Sequence, residues 1–128
     1  MREIKFRAWI KVEDVPSGYM FDGADNTFVN TRNGVYAIEN YEGKIIRHKS
    51  GEYTLMQYTG LKDKNGKEIY ESDILSGDYP DEVFFDKERG QWMVRNSQNP
   101  DDTLWEILRD NNCEVIGNIY ENKDLLNK

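Results

Sequence analysis

The segment Leu55–Leu75, LMQYTGLKDKNGKEIYESDIL, constrains the fold of this chain more than any other stretch. Leu55, Gln57 and Thr59 alternate with Met56, Tyr58 and Gly60, which is the two-residue period of a strand. Asn65-Gly66 then sits between Lys64 and Lys67. Asn and Gly reach positive φ at least cost, so the pair predicts a type I′ turn between antiparallel strands. Past the turn, Ile69 is apolar between Glu68 and Tyr70, Glu71-Ser72-Asp73 interrupts, and Ile74-Leu75 opens another apolar run. The reading is a strand, a charged hairpin tip and a tight corner into the next strand. Lys62, Lys64 and Lys67 could form a phosphate-binding tip, but a solvated turn that blunts a sheet edge is preferred.

The first third is organised differently. Ile4, Phe6, Ala8 and Ile10 alternate with Lys5, Arg7 and Trp9, as in a half-buried strand. Glu13 to Gly34 is polar and rich in Gly, Asp and Asn. Val35–Ile38 and Lys44–Ile46 flank Asn40-Tyr41-Glu42-Gly43 and predict a second small hairpin. Composition turns polar again from Arg47 to Glu52, which places a soft boundary there. The predicted organisation is 1–50, an N-terminal strand with a small variable β lobe, and 51–128, a C-terminal barrel-like core.

The last third reads as strands around one helix. Glu82–Asp86 and Gln91–Arg95 flank Lys87-Glu88-Arg89-Gly90, a four-residue hairpin loop ending in Gly. Thr103-Leu104-Trp105-Glu106 fits a capping box and opens a helix over 103–110, with Leu104, Ile107 and Leu108 on one face. Asn111-Asn112 is its predicted stop, since Asn tolerates the left-handed conformation. Glu114–Tyr120 is a closing strand, and Asp124-Leu125-Leu126 a final turn of helix. Many short strands with Gly-marked corners predict a mainly β, β-rich α+β fold: a strongly bent sheet or a small SH3-like barrel core, with one or two short helices.

Composition narrows function mostly by exclusion. The net charge is −7 over 128 residues. Gripping a nucleic acid backbone calls for a basic face, so nucleic acid is disfavoured and a protein partner is the easier expectation. No run approaches the ~18 apolar residues of a membrane span, and the first residues lack the pattern of a secretory signal. One cysteine, Cys113, precludes an internal disulfide and fits a reducing cytoplasm. Its position beside an apolar strand favours inert packing. His48 is the only histidine, so neither a nucleophilic triad nor a zinc site is supported. No glycine-rich phosphate loop occurs, and no cofactor or small-molecule ligand is indicated.

The opening REIKFRAW, the central LMQYTGLKDKNGKEIYESDIL and the closing EVIGNIYEN with Leu125-Leu126 resemble, in that order, the shared blocks of the YopX family of small phage and prophage proteins. The resemblance implies mainly β structure, a phage or prophage origin in a bacterial host cell, and no catalytic residues to carry over. Three positions depart from the family pattern. Ile10 stands where Asp tends to follow the Trp, Ser72 where Gly usually precedes the Asp, and Lys123 where Pro is frequent. Ser72 argues against a positive-φ corner, because Gly alone adopts that geometry freely.

Two further patterns bear on function. Pro100-Asp101 with Glu121-x-Lys123 resembles the signature of Mg²⁺-dependent nucleases, but a helix opening and a strand cap account for the same residues. Trp9, Trp92 and Trp105 could stack bases, although aromatic residues in strands are more often core. The expectation is therefore a cytoplasmic, non-enzymatic interaction or regulatory protein that binds a host or phage protein or itself. A nucleic-acid-binding module is the alternative, and a Mg²⁺-dependent nuclease a distant one. Tyr58, Lys62, Lys64, Lys67, Tyr70, Glu71 and Asp73 form the predicted binding surface, with no catalytic or metal-binding residue assigned.

Overall fold

Strand β1 (Phe6–Lys11) forms where the alternation predicts it, with Ala8 and Ile10 buried. The computed structural model describes residues 5–11, 18–21, 27–31, 34–41, 44–48 and 53–127. They fall into two compact units, one of Lys5–Gln57 and one running from Tyr58 to the C-terminus.

In the first unit, β1 lies between β2 (Gly18–Phe21) and the start of β6 (Tyr53–Lys62), antiparallel to both. Ile10 faces Tyr53 across the ladder, and these two residues with Ala8 make a small core. Gly18 is required where it sits, because a Cβ there would collide with the Ile10 carbonyl and the Trp9 ring. Strands β3 (Thr27–Thr31), β4 (Gly34–Tyr41) and β5 (Lys44–His48) form a separate antiparallel sheet with β4 central. The predicted second hairpin is its β4–β5 pair, with Tyr41 opposite Lys44. Parts of the polar stretch Glu13–Gly34, residues 49–52 at the predicted boundary, and the His48 side chain lie outside the described residues.

In the second unit, the later part of β6 pairs with β7 (Glu68–Tyr70). A five-stranded antiparallel sheet follows in the order β11-β10-β9-β8-β12. Its strands are β8 (Asp73–Leu75), β9 (Asp81–Asp86), β10 (Gln91–Arg95), β11 (Asp102–Thr103) and β12 (Val115–Asn118). The β9–β10 hairpin closes as predicted, with Gly90 at φ 65° donating its N–H to the Asp86 carbonyl at 2.8 Å. Val83 faces Val94 across it. Both pack with Ile69, Leu75, Leu104 and Cys113 into the unit's core, and Ile107 and Leu108 of α1 (Leu104–Asp110) pack against them.

The fold is mainly β, as predicted, but the sheets are open and not closed into a barrel. The outer edge of β12 shows why. Its Val115 and Asn118 N–H groups donate to the side chains of Asp63 and Asn122, at 2.9 and 3.3 Å, so side chains stand where a closing strand would pair. The helix cap also differs in detail. Thr103 Oγ1 accepts from Glu106 N–H, but the Thr103 N–H donates to Asp102, so half of the predicted box forms. Asn111 ends the helix in an extended conformation, not the left-handed one expected.

Candidate functional site

The charged tip is built around Asp63, which the sequence reading passed over. Asp63 is buried. Its Oδ1 accepts from the N–H groups of Asn65 and Lys67, and its Oδ2 from that of Val115, each at 2.9 Å. Asp63 N–H donates to the Lys67 carbonyl at 2.9 Å, and Gly66 N–H to the Asp63 carbonyl at 3.0 Å. Among the described residues of this loop only Gly66 has positive φ, at 80°. The turn is therefore a three-residue loop ending in a left-handed glycine, not the predicted type I′ turn. An Asp two residues before Asn-Gly can bond the loop's own N–H groups, and that spacing was the available signal. Burial raises the proton affinity of the Asp63 carboxyl, but three backbone N–H groups and the Lys67 charge outweigh it, leaving the group below the usual carboxylate range. The tip is also tied to the chain before β12. Lys64 N–H donates to the Cys113 carbonyl at 3.2 Å, and Asn65 Nδ2 to Glu114 Oε2 at 3.0 Å.

The seven residues of the predicted binding surface separate. Lys62, Lys64 and Lys67 are exposed around the tip. Tyr58 is 4% exposed and Asp73 1%, so both lie inside. The Tyr58 and half-buried Tyr70 rings pack at 5.5 Å, Tyr70 N–H donates to Asp73 Oδ2 at 2.8 Å, and Glu71 is half-buried. The halves of the nuclease-like pattern serve other ends: Asp101 pairs with Arg89 at 3.2 Å, and Glu121 accepts from Asn118 at 3.1 Å. Among the described residues no three His, Cys, Asp or Glu side chains converge as metal ligands.

A second feature is a cleft of about 220 Å³ in the C-terminal unit, lined by Ser76, Tyr79, Asp81, Asn96, Ile107 and Cys113 among others. Asp81 is 7% exposed, and its Oδ1 accepts from Asn96 Nδ2 at 2.7 Å. Burial pushes its carboxyl above the usual range; Asn96 opposes the shift and the Asp102 charge adds to it. The Cys113 thiol is likewise pushed up, first by burial and then by Asp81, with Lys64 opposing. A buried thiol held in its neutral form is an inert packing group. Asp81 and Cys113 come from separate parts of the chain, so no local pattern announces the cleft.

The family model described as YopX protein matches residues 5–127, nearly the whole chain. The chain belongs to the YopX family. It is also similar to a solved structure, protein EF1440 from Enterococcus faecalis, at 27% identity. The match covers 98% of this chain and 99% of that one, with a TM-score of 0.63. No curated protein matches.

Two of the YopX blocks contain a side chain or corner whose geometry the structure explains. In the closing block, Asn118 Oδ1 accepts from the N–H groups of Tyr120 and Glu121, both at 3.0 Å, and so folds the chain back after β12. In the central block, Ser72 adopts φ 75° despite lacking the glycine's freedom, which corrects the expectation drawn from its identity. Its N–H donates to the Val83 carbonyl at 2.8 Å and its carbonyl accepts from Ile119 N–H at 3.0 Å. These bonds, one to β9 and one to the residue after β12, impose the corner.

Proposed function

We propose that this YopX-family protein is a phage- or prophage-encoded, non-enzymatic interaction or regulatory protein of the bacterial cytoplasm, binding a protein partner or a second copy of itself. The observation that carries this reading is the apolar surface of the C-terminal unit. Trp105 is 58% exposed, and Tyr79, Phe85 and Ile116 are exposed as well. Large aromatic side chains are enriched where proteins meet and are costly to leave in water. The buried polar groups of the motif segments, Asp63, Asp73 and Asn118, are by contrast engaged in holding turns and corners. A satisfied buried polar group specifies structure. The charge of −7 supports a protein over a nucleic acid as partner.

The test is affinity capture from bacterial lysate at low and high salt, with and without nuclease, alongside sedimentation of the purified protein over a concentration series. A stoichiometric protein retained after nuclease treatment, or concentration-dependent self-association, is the expected result. Nucleic acid recovered alone and lost at high salt would replace this reading with that of a binding module.

A further inference from the structure

The cleft contains a carboxylate, Asp81, that pairs with no cation among the described residues. The described arginines of the same unit pair elsewhere: Arg95 with Glu82 at 3.1 Å, Arg89 with Asp86 and Asp101, and Arg109 with Asp110. Asp81 has the neutral Asn96 amide as its hydrogen-bond donor among the described residues. A buried carboxylate with only a neutral donor is expensive, and its natural complement is a positive charge. The walls fit such a guest. Tyr79 is exposed and is one of the lining residues, and an aromatic ring face attracts a cation. Ile107 offers apolar surface for a methylene stem, and Ser76 and Asn111 offer acceptors. Asp78 in the lining and Asp102 nearby add negative charge. Size decides between a free ligand and a side chain. The volume, about 220 Å³, falls below the roughly 300–1,000 Å³ of small-molecule sites and suits one inserted side chain.

We infer that this cleft receives the cationic side chain of an arginine or lysine from the partner protein, with Asp81 as its counter-charge and Tyr79 as its stacking surface. The inference rests on the interaction reading above and names the chemistry of the contact.

The test is an NMR titration of the full chain with N-acetyl-arginine amide and N-acetyl-lysine amide, with N-acetyl-citrulline amide as the uncharged control. Saturable shifts of the Asn96 side-chain amide and Cys113 backbone amide are expected with the cations, and at least tenfold weaker binding with citrulline. Asp81→Asn keeps the Asn96 bond and should weaken cation binding at least tenfold. Tyr79→Ala, at an exposed position, should weaken it several-fold without loss of fold. Non-saturating shifts, equal binding of citrulline, or unchanged binding by both variants would overturn the inference. Capture from lysate separates the two proposals. A partner retained equally by wild type and Asp81→Asn removes the cleft from the interface and leaves the interaction reading standing. Cation binding without any captured or self-associating protein overturns both, and reassigns the cleft to a free amine.

Discussion

Replacing Ser72 with glycine should stabilise the C-terminal unit. Ser72 holds φ at 75° because Val83 in β9 and Ile119 just after β12 bond its backbone. A left-handed conformation costs an L-residue roughly 1–2 kcal/mol through the clash of Cβ with the following carbonyl. Glycine removes that clash and keeps both bonds, neither of which uses the hydroxyl. Against this, glycine frees the unfolded chain, which takes back about 0.4–1 kcal/mol. The net expectation for Ser72→Gly is a gain of about 0.8 kcal/mol, the difference between the midpoints of those two ranges. Urea unfolding followed by tryptophan fluorescence measures it. A Trp9→Phe background leaves Trp92 and Trp105, both in the unit that contains Ser72. The midpoint should rise with an unchanged slope, since the surface exposed on unfolding does not change. Ser72→Ala retains Cβ and should gain little. If Ser72→Gly loses stability, or Ser72→Ala gains as much, the corner is not strained and the argument fails.

Asp63→Asn should cost about 2–3 kcal/mol, because hydrogen bonds to a charged acceptor contribute roughly 1.5–3 kcal/mol each and do not add fully; chemical denaturation measures the loss. The folded Asp63 carboxyl lies below its ordinary value, so its stabilisation is complete above that ordinary value and disappears as pH falls through the folded one. The acid limb of the stability curve should accordingly be shallower in Asp63→Asn, as followed by circular dichroism. Asp81 has the opposite sign: its raised folded value means that ionisation penalises the fold above that value, and the penalty vanishes below the ordinary one. Asp81→Asn should therefore melt no lower than the parent at pH 7 and lose any advantage near pH 3, a comparison made by calorimetry. Alanine at Lys62, Lys64 and Lys67 should each shift stability by less than about 0.5 kcal/mol, since exposed charges contribute little; a larger loss on denaturation would show that the tip lysines have a structural role.

What could be read from the sequence was local. The β9–β10 hairpin, with Gly90 closing its loop, and the amphipathic face of α1 depend on residues a few positions apart, and both form as expected. What could not be read depends on distant partners. Asn65-Gly66 is strong hairpin chemistry by itself, yet Asp63, anchored through Oδ2 to Val115, selects the three-residue loop. Ser72 looked incompatible with its corner because the bonds that enforce it come from β9 and from the residue after β12. The cleft needs Asp81, Ile107 and Cys113 together, and no single segment contains all three. Five of the residues read as a binding surface, Lys62, Lys64, Lys67, Tyr70 and Glu71, keep some exposure, whereas Tyr58 and Asp73 are buried.

The three blocks that carry the YopX resemblance are separated in sequence and joined in space. The opening block supplies β1, whose Phe6, Arg7 and Ala8 lie opposite Gln57, Met56 and Leu55 at the start of the central block. The closing block supplies β12, whose Asn118 lies opposite Asp73 at the end of the central block, and Ile119 bonds Ser72 there. Asp63 Oδ2 and Asn65 Nδ2 add side-chain links from the central tip to Val115 and Glu114. The central block is thus hydrogen-bonded to both of the others, and the motif residues hold that frame. Trp105, Tyr79 and Asp81 fall in the chain between the central and closing blocks. Most of the exposed apolar surface of the C-terminal unit, Ile116 excepted, is therefore coded outside the blocks that build the frame. Substitutions at Asp63, Ser72 or Asn118 should act first on stability, and substitutions at Tyr79, Asp81 or Trp105 first on binding.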